Sequence, residues 1–391
     1  MDFAPYRHQP FKALYLAYEI STLLLRLPYW MLVSVVSRPR PSWSWKRAVH
    51  VRCVRRLTSL SRFVGPLTSS PNHLAVVPGA GYHGLWIDPV DLDSLSGKLK
   101  LWVSAAKIEA VRLPGYWLHK PKSSIEPEAP LMPGEKIVYA LHGGAYTRLS
   151  AHPSDVTSGI ARGLLEHVDS VHRIFSIEYR LSSTKPFAVA NPFPTALVDA
   201  LAGYNYLINK LQIPSSDIII HGDSAGGNLA LALTRYLVES KQALPGGIIL
   251  FSPWADMGTS HHTSDASYYA DSDIIPSDKG GSVSYPVLAF TGPFGLGAAE
   301  LNPYISPASK NIERVAFAGW PRTFISCGGA EILRDSIRTL HERMGQDMGE
   351  DVEYLEMPDG VHDFVVFEGG IHEPERTETL SAIAKWTTSL G

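Results

Sequence analysis

The stretch Ile218–Asn228, which reads IIIHGDSAGGN, predicts a buried strand that turns directly into a helix. An apolar run of strand length leads into it, and a helical pattern over Ala225–Glu239 follows. In the turn, Gly222 and Gly226 stand two positions before and after Ser224, so the strand and the helix can approach closely. A serine held at such a turn keeps its hydroxyl clear of the sheet, and Ser224 is therefore a candidate nucleophile.

Around this turn, short apolar runs alternate with longer helical patterns from residue 136 onward. We expect strands at Ile137–Leu141, Ile174–Tyr179, Ile218–His221, Gly247–Phe251, Thr323–Cys327 and Val352–Glu356. We expect helices at Ser154–His167, Thr195–Leu211, Ala225–Glu239, Leu333–Met344 and Thr377–Leu390. Candidate antiparallel strands at the leading edge of the sheet are Leu85–Ile87, Leu99–Val103 and Tyr116–Leu118. Continuously apolar runs suit strands buried on both faces, so the pattern predicts an α/β fold with a mainly parallel sheet.

Two regions depart from this alternation. Residues 1–75 form a predicted N-terminal helical segment, and residues 76–391 form the predicted catalytic domain, with an insertion near 256–307 that is rich in Ser, Gly, Asp and Tyr. Long irregular insertions in compact domains are usually lids or binding loops, so we expect this one to form part of a cap. Its His and Asp residues lack the spacing of metal ligands, and we expect no metal site.

The N-terminal segment contains an apolar stretch, Phe11–Val36, that is interrupted by Lys12, Glu19, Arg26 and Pro28. The three charges are seven residues apart and therefore form a narrow polar stripe on a helix. These charges argue against a membrane span, and Glu19 also argues against a signal peptide. Two interpretations stay open: a helix that packs over the enzyme body as a cap, or a helix that lies in a membrane interface.

The overall composition excludes one class of partner. Lys and Arg number 35 against 38 Asp and Glu, a formal net charge of −3, whereas a nucleic-acid-binding protein carries a basic excess. The two cysteines allow one disulfide at most and are compatible with a reducing compartment. We expect an intracellular protein, either cytoplasmic or peripherally associated with the endoplasmic reticulum membrane.

A nucleophilic serine needs a general base and an acid that orients it. His362 fits the base because its loop, DGVHDF, lies between the last predicted strand and the last helix. Two acids follow the strand Thr323–Cys327. Glu331 comes just after a Gly-Gly turn, with Ala330 between them, whereas Asp335 falls one helical turn later, where its charge suits the start of a helix. We therefore predict Glu331 as the acid and a supporting role for Asp335.

The sequence HGGAY, which begins at His142, follows the strand Ile137–Leu141 and suits an oxyanion hole. Such a hole needs backbone amides that already point at the developing charge. We predict that Gly143, Gly144 and Ala225 supply these amides. His142 and Asp223 are predicted to support the site, His142 by shaping its loop, because His362 already fills the role of base.

These motifs together resemble the hormone-sensitive-lipase-like family of α/β-hydrolases, including its arylacetamide deacetylase and steryl acetyl hydrolase branch. The resemblance extends from Ile137 to the C-terminus and includes Tyr179-Arg180-Leu181, Pro192-Phe193-Pro194, Asp199-Ala200, Ser252-Pro253-Trp254 with Asp256, and Ser306-Pro307. It implies an α/β-hydrolase fold with helices on both sheet faces, a helical cap, and catalysis without a metal or an organic cofactor. Ala145 stands where the family has a third glycine, and Glu331 stands where it usually has aspartate.

The resemblance implies a serine carboxylesterase or deacetylase that hydrolyses a small hydrophobic ester through an acyl-enzyme. Two alternatives stay open. The same residues could serve an acyltransferase or an amidase, because the sequence does not show which nucleophile enters the acyl-enzyme. A non-catalytic ligand-binding homologue is the remote alternative, and the presence of His362 argues against it.

Overall fold

One central sheet organises the described part of the chain, which in the computed structural model comprises residues 8–65, 71–121, 123, 126, 128–263, 265–277 and 284–390. Its strands are β1 (Tyr82–Ile87), β2 (Leu113–His119), β3 (Lys136–Leu141), β4 (Val171–Ile177), β5 (Ile218–Asp223), β6 (Gly247–Phe251), β7 (Thr323–Gly328) and β8 (Val352–Met357). Their order across the sheet is β1-β2-β4-β3-β5-β6-β7-β8. Strands β3 to β8 pair in parallel, and β2 runs antiparallel to both of its neighbours. The predicted α/β fold with a mainly parallel sheet is confirmed.

Helices connect most of the strands and cover the sheet. They are α1 (Phe11–Val36), α2 (Trp45–Val64), α3 (Gly97–Ala106), α4 (Ser158–His167), α5 (Thr195–Asn205), α6 (Ala225–Glu239), α7 (Tyr285–Thr291), α8 (Gly295–Leu301), α9 (Arg334–Met348) and α10 (Glu375–Thr388). Within the described part of the insertion, the α-helices are α7 and α8. A short π-helical segment, Tyr206–Lys210, continues α5 to within one residue of the end of the predicted helix Thr195–Leu211.

Strand β3, in the interior of the sheet, is buried on both faces because its successive side chains enter different core layers. On β3, Ile137, Tyr139 and Leu141 belong to one apolar cluster, whereas Val138 and Ala140 belong to the other. This is the period of two expected for a strand, with helices rather than water on each side. The continuously apolar runs of the sequence therefore mark interior strands.

One predicted strand is wrong. The residues Leu99–Val103 lie in helix α3 and not in the sheet. The sequence LKLWV alternates like a strand, but Leu99 and Val103 are the residues that α3 buries, four positions apart on one helical face. Leu101, which strand alternation would bury with them, is 70% exposed. The neighbouring predictions Leu85–Ile87 and Tyr116–Leu118 lie in β1 and β2 as expected.

Helix α2 attaches the N-terminal segment to the rest of the structure. Its first turn is anchored by Arg47, whose Nη1 lies 2.7 Å from Oε1 of Glu375 in α10. The Trp43 side chain, just before the helix, is fully buried and donates a hydrogen bond from Nε1 to the Asp359 carbonyl at 3.2 Å. Asp359 belongs to the loop that carries His362, so the N-terminal segment packs directly against that loop.

Candidate active site

Ser224 lies between β5 and α6 in a strained turn, with φ 51° and ψ −115°. Its amide donates to the Phe251 carbonyl of β6 at 2.9 Å, which holds the turn against the neighbouring strand. The backbone approaches very closely at Gly226, where a Cβ atom would stand 1.9 Å from the Leu141 carbonyl oxygen. Only glycine fits there, so the predicted Gly-x-Ser-x-Gly pattern has a steric cause: the helix starts against the end of β3.

The HGGAY loop lies against the same turn. A Cβ atom on Gly143 would stand 2.2 Å from Oδ2 of Asp223, the residue before Ser224. In the part of the chain that the structure describes, the amides of Gly143 and Gly144 donate no hydrogen bond. Ala225 opens helix α6, so its amide has no acceptor within the helix. The three amides predicted to form an oxyanion hole thus lie at the ends of β3 and β5 and are available to a ligand.

His142 has the contacts of a residue that shapes this loop. Its Nδ1 lies 2.7 Å from the Gly143 carbonyl oxygen, its ring stacks on Tyr179, and the Tyr179 hydroxyl donates to the His142 carbonyl at 2.7 Å. Burial lowers the pKa of the His142 imidazole to about 4, against a smaller raising effect of the Gly143 contact. The ring is therefore neutral at physiological pH.

His362 follows β8 and is buried, with 4% of its surface exposed. Its Nδ1 faces Oε1 of Glu331 at 3.8 Å, and its Nε2 lies 3.0 Å from Oδ2 of Asp363. Among the described residues neither Nδ1 of His362 nor Oε1 of Glu331 has a hydrogen-bond partner, although both are buried. A buried imidazole nitrogen and a buried carboxylate oxygen that face each other are suited to form a hydrogen bond. In enzymes such catalytic hydrogen bonds often shorten only when substrate binds.

Glu331 is held in place through its other carboxylate oxygen. Oε2 accepts a hydrogen bond from the Ser252 hydroxyl at 2.6 Å and one from the Gly328 amide at 2.9 Å. Ser252 follows β6, so it links the strand next to the Ser224 turn to the strand that precedes Glu331. The other carboxylate oxygen of Glu331, Oε1, faces the imidazole of His362.

Asp335, the other acid of the sequence, makes different contacts. It lies in the first turn of α9, where Oδ2 accepts from the Ser267 amide at 2.7 Å and Oδ1 pairs with Arg334 at 3.1 Å. Burial acts to raise the pKa of Asp335, but the bonds from Ser267 and the charge of Arg334 lower it below its usual value. The structure thus brings Glu331, and not Asp335, to His362.

The charges around His362 influence one another strongly. Burial alone would lower the pKa of the imidazole, but the carboxylates of Asp363 and Glu331 raise it well above its ordinary value. Burial raises the pKa of Glu331 to about 7, opposed by His362 and Ser252. Burial, with the nearby Asp363 charge, also raises the pKa of Asp223 well above its usual range.

Asp273 is a site residue that the sequence analysis missed. It is fully buried in the insertion, and its Oδ1 accepts the His362 amide at 2.9 Å while Oδ2 accepts the Ile332 amide at 2.9 Å. It therefore joins the insertion to the loops of both Glu331 and His362. No local motif marks Asp273, because its role depends on residues about 60 and 90 positions away that only the fold brings near.

The sequence predicts that the His and Asp residues of the insertion do not form a metal site. Within the described ranges, no group of three or more His, Cys, Asp or Glu side chains could hold a metal ion. In the insertion, His261 is hydrogen-bonded through Nδ1 to Asp256 at 2.7 Å and through Nε2 to Thr339 at 3.0 Å. Both ring nitrogens of this histidine are therefore engaged by protein groups.

Known proteins similar to this chain include esterases and acetyl-hydrolases. The chain is 27% identical to an esterase of Acinetobacter venetianus over 260 residues, which cover 65% of this chain and 75% of the relative. It is 28% identical to an acetyl-hydrolase of Streptomyces hygroscopicus over 265 residues, which cover 66% and 78%. A solved hormone-sensitive lipase from a metagenome library shares the fold, with a TM-score of 0.56, 24% identity and coverage of 88% of this chain and 92% of that one.

A match to a family model identifies the family of the chain. The model of the alpha/beta hydrolase fold matches residues 137–366, which is more than half of the 391 residues. The matched range runs from β3 through the nucleophile turn to the residues just after His362. The chain belongs to the α/β-hydrolase family, as the sequence motifs had indicated.

Proposed function

We propose that the protein hydrolyses a hydrophobic carboxylic ester through an acyl-enzyme on Ser224, with His362 as general base and Glu331 as its orienting acid. The coarser statement, that it is a hydrolase of ester bonds, follows from its family and its esterase and acetyl-hydrolase relatives. The observation that carries the finer proposal is that Glu331 Oε1 and His362 Nδ1 face each other while both are buried and have no hydrogen-bond partner among the described residues. This pair lies at the carboxyl edge of the sheet, where the Ser224 turn also lies.

In the proposed reaction, Ser224 Oγ attacks the ester carbonyl carbon while Nε2 of His362 takes its proton. The amides of Gly143, Gly144 and Ala225 stabilise the oxyanion of the tetrahedral intermediate. As the carbon–oxygen bond to the alcohol breaks, the imidazolium returns the proton to the leaving oxygen. A water molecule then attacks the acyl-enzyme, with the same base, and releases the carboxylic acid.

The proposal of a hydrophobic ester is supported by the surroundings of the oxyanion loop. Phe290 of α7 stacks on Tyr146 of the HGGAY loop, with ring centroids 3.9 Å apart. Phe193 lies edge-on to Phe290 at 5.7 Å and to Phe294 at 6.0 Å. These aromatic contacts between the insertion and the HGGAY loop support the proposal that the insertion forms part of a cap over the acyl group.

The proposed activity can be tested with a fluorophosphonate probe and a series of p-nitrophenyl esters of increasing acyl length. We expect the probe to label Ser224 and the esters to be hydrolysed with release of free acid. A chain that neither reacts with the probe nor hydrolyses any ester would contradict the proposal. Transfer of the acyl group to an added alcohol in preference to water would replace hydrolysis by acyl transfer.

The contact between Asp363 and the base predicts how activity depends on pH. Nε2 of His362 must be neutral and must leave Asp363 before it can accept the serine proton. The acidic groups near the imidazole are Asp363, Glu331, Asp273 and Asp223. The raised pKa of His362 means that the base becomes available only at higher pH. Removing the Asp363 charge should lower that pKa.

We therefore expect Asp363→Asn to move the acidic limb of kcat/KM to lower pH by about one unit, the effect of a close opposite charge. The matched control is Asp359→Asn in the same loop, where the carboxylate binds Arg40 and Ser42 instead of the imidazole. The control should leave the limb in place. An unmoved limb in Asp363→Asn would show that the 3.0 Å contact does not persist in solution.

A further inference from the structure

Helix α1 packs against α2 through its polar side chains. Glu19 is 4% exposed, and its carboxylate pairs with Arg26 at 2.8 Å and with Nε of Arg56 of α2 at 3.0 Å. Fifteen residues further along, Ser34 is fully buried and is hydrogen-bonded to Arg52 of α2. The stripe of charges that divides the apolar stretch in the sequence is therefore the face that α1 turns toward the protein.

The apolar surface of α1 faces outward. Of 24 exposed large apolar side chains in the described part of the chain, 13 lie on this helix, so the exposure is concentrated there. It is also the one helix of the described ranges that is long and apolar enough to cross a membrane, and 11% of its most apolar window is buried. A helix in water buries its apolar stripe and exposes its polar one. Here the order is reversed.

We propose that the apolar surface of α1 is covered by a lipid bilayer. The width of the surface favours lipid over a second protein. Leu23, Leu24 and Leu25 are all exposed, and successive helical residues are about 100° apart, so apolar side chains extend over about 200° of the circumference. Another helix would cover a narrower stripe than this, whereas acyl chains can cover all of it.

The contacts with α2 place α1 in the plane of the membrane. At 26 residues α1 is about 39 Å long, enough to span. However, it is bound to α2 at two points, Glu19 and Ser34, which are about 22 Å apart along its axis. Helix α2 carries six Lys and Arg residues and cannot enter hydrocarbon. It lies between α1 and the hydrolase body, and its Arg52 and Arg56 hold α1 there, so α1 stays at the surface of the bilayer.

The proposal is tested by flotation of the purified full chain with vesicles of phosphatidylcholine and about 20% phosphatidylserine. The test variant combines Leu24→Gln, Leu25→Gln and Leu32→Gln, three sites that are 72–77% exposed. The matched control combines Leu74→Gln, Leu101→Gln and Leu301→Gln, which are 62–72% exposed on other parts of the surface. We expect the wild type and the control to float and the test variant to lose at least tenfold in vesicle partitioning.

Three results would overturn the proposal. The first is a wild-type chain that stays with the unbound fraction, or a test variant that floats as well as the control. The second is a wild-type chain that forms dimers and fails to float, together with a test variant that is monomeric. This result would mean that a second copy of the chain covers the apolar surface of α1. The third is retention on the vesicles after an alkaline carbonate wash, which would indicate a spanning helix. Equal hydrolysis of p-nitrophenyl acetate by all three proteins controls for folding.

Discussion

Replacement of Ser224 by alanine is expected to reduce kcat for p-nitrophenyl acetate by about 10⁴-fold or more, because the proposed nucleophile is lost. The fold should survive the change. Ser224 has a positive φ of 51°, and alanine carries the same Cβ atom as serine, so the backbone strain stays the same. The measurement is steady-state hydrolysis together with a thermal melt and fluorophosphonate labelling.

A matched control lies on the same helix. Ser240 ends α6, where its hydroxyl donates to the Tyr236 carbonyl at 2.6 Å, and Ser240→Ala should keep wild-type activity. If Ser224→Ala retained more than about a tenth of the wild-type kcat in a preparation free of contaminating esterases, Ser224 would not be the nucleophile. A collapsed melting temperature would instead point to a structural role at the turn.

Glu331→Gln is expected to reduce kcat by at least about 10²-fold at nearly unchanged stability. The glutamine carbonyl can still accept the bonds from Ser252 and Gly328, which hold the side chain in place. Its amide group then faces Nδ1 of His362, where it favours the wrong imidazole tautomer and no longer stabilises the imidazolium. The loss should therefore appear in kcat and not in the thermal melt.

Asp335→Asn measured beside it should show the opposite pattern. Asp335 holds the Ser267 amide and Arg334, contacts that join the insertion to α9. Its replacement should lower stability by about 1 kcal/mol and leave most of the activity. If Asp335→Asn abolished activity while Glu331→Gln retained it, the role of the acid would pass to Asp335. Until then Glu331 stays a prediction that the geometry supports.

Local sequence alone determined the parts of the fold that depend on local physics. The continuously apolar runs predicted β3 and β5 to β7 within one or two residues, because interior strands need apolar side chains on both faces. The pattern around Ser224 predicted the tight turn, since only glycine allows the approach seen at Gly226. The position of Glu331 after its Gly-Gly turn likewise predicted which acid would face His362.

Tertiary structure decided the features that depend on distant neighbours. The alternation in Leu99–Val103 suits a strand, but packing against the core selects the helical face of α3. The role of Asp273 at His362 arises from a contact between residues 89 positions apart, which no local pattern encodes. For α1 the sequence showed a polar stripe, but it did not show whether this stripe faces the protein or faces outward. The composition of the helix is compatible with both orientations. Only α2, with Arg56 placed to meet Glu19, turns that stripe inward and leaves the apolar surface outside.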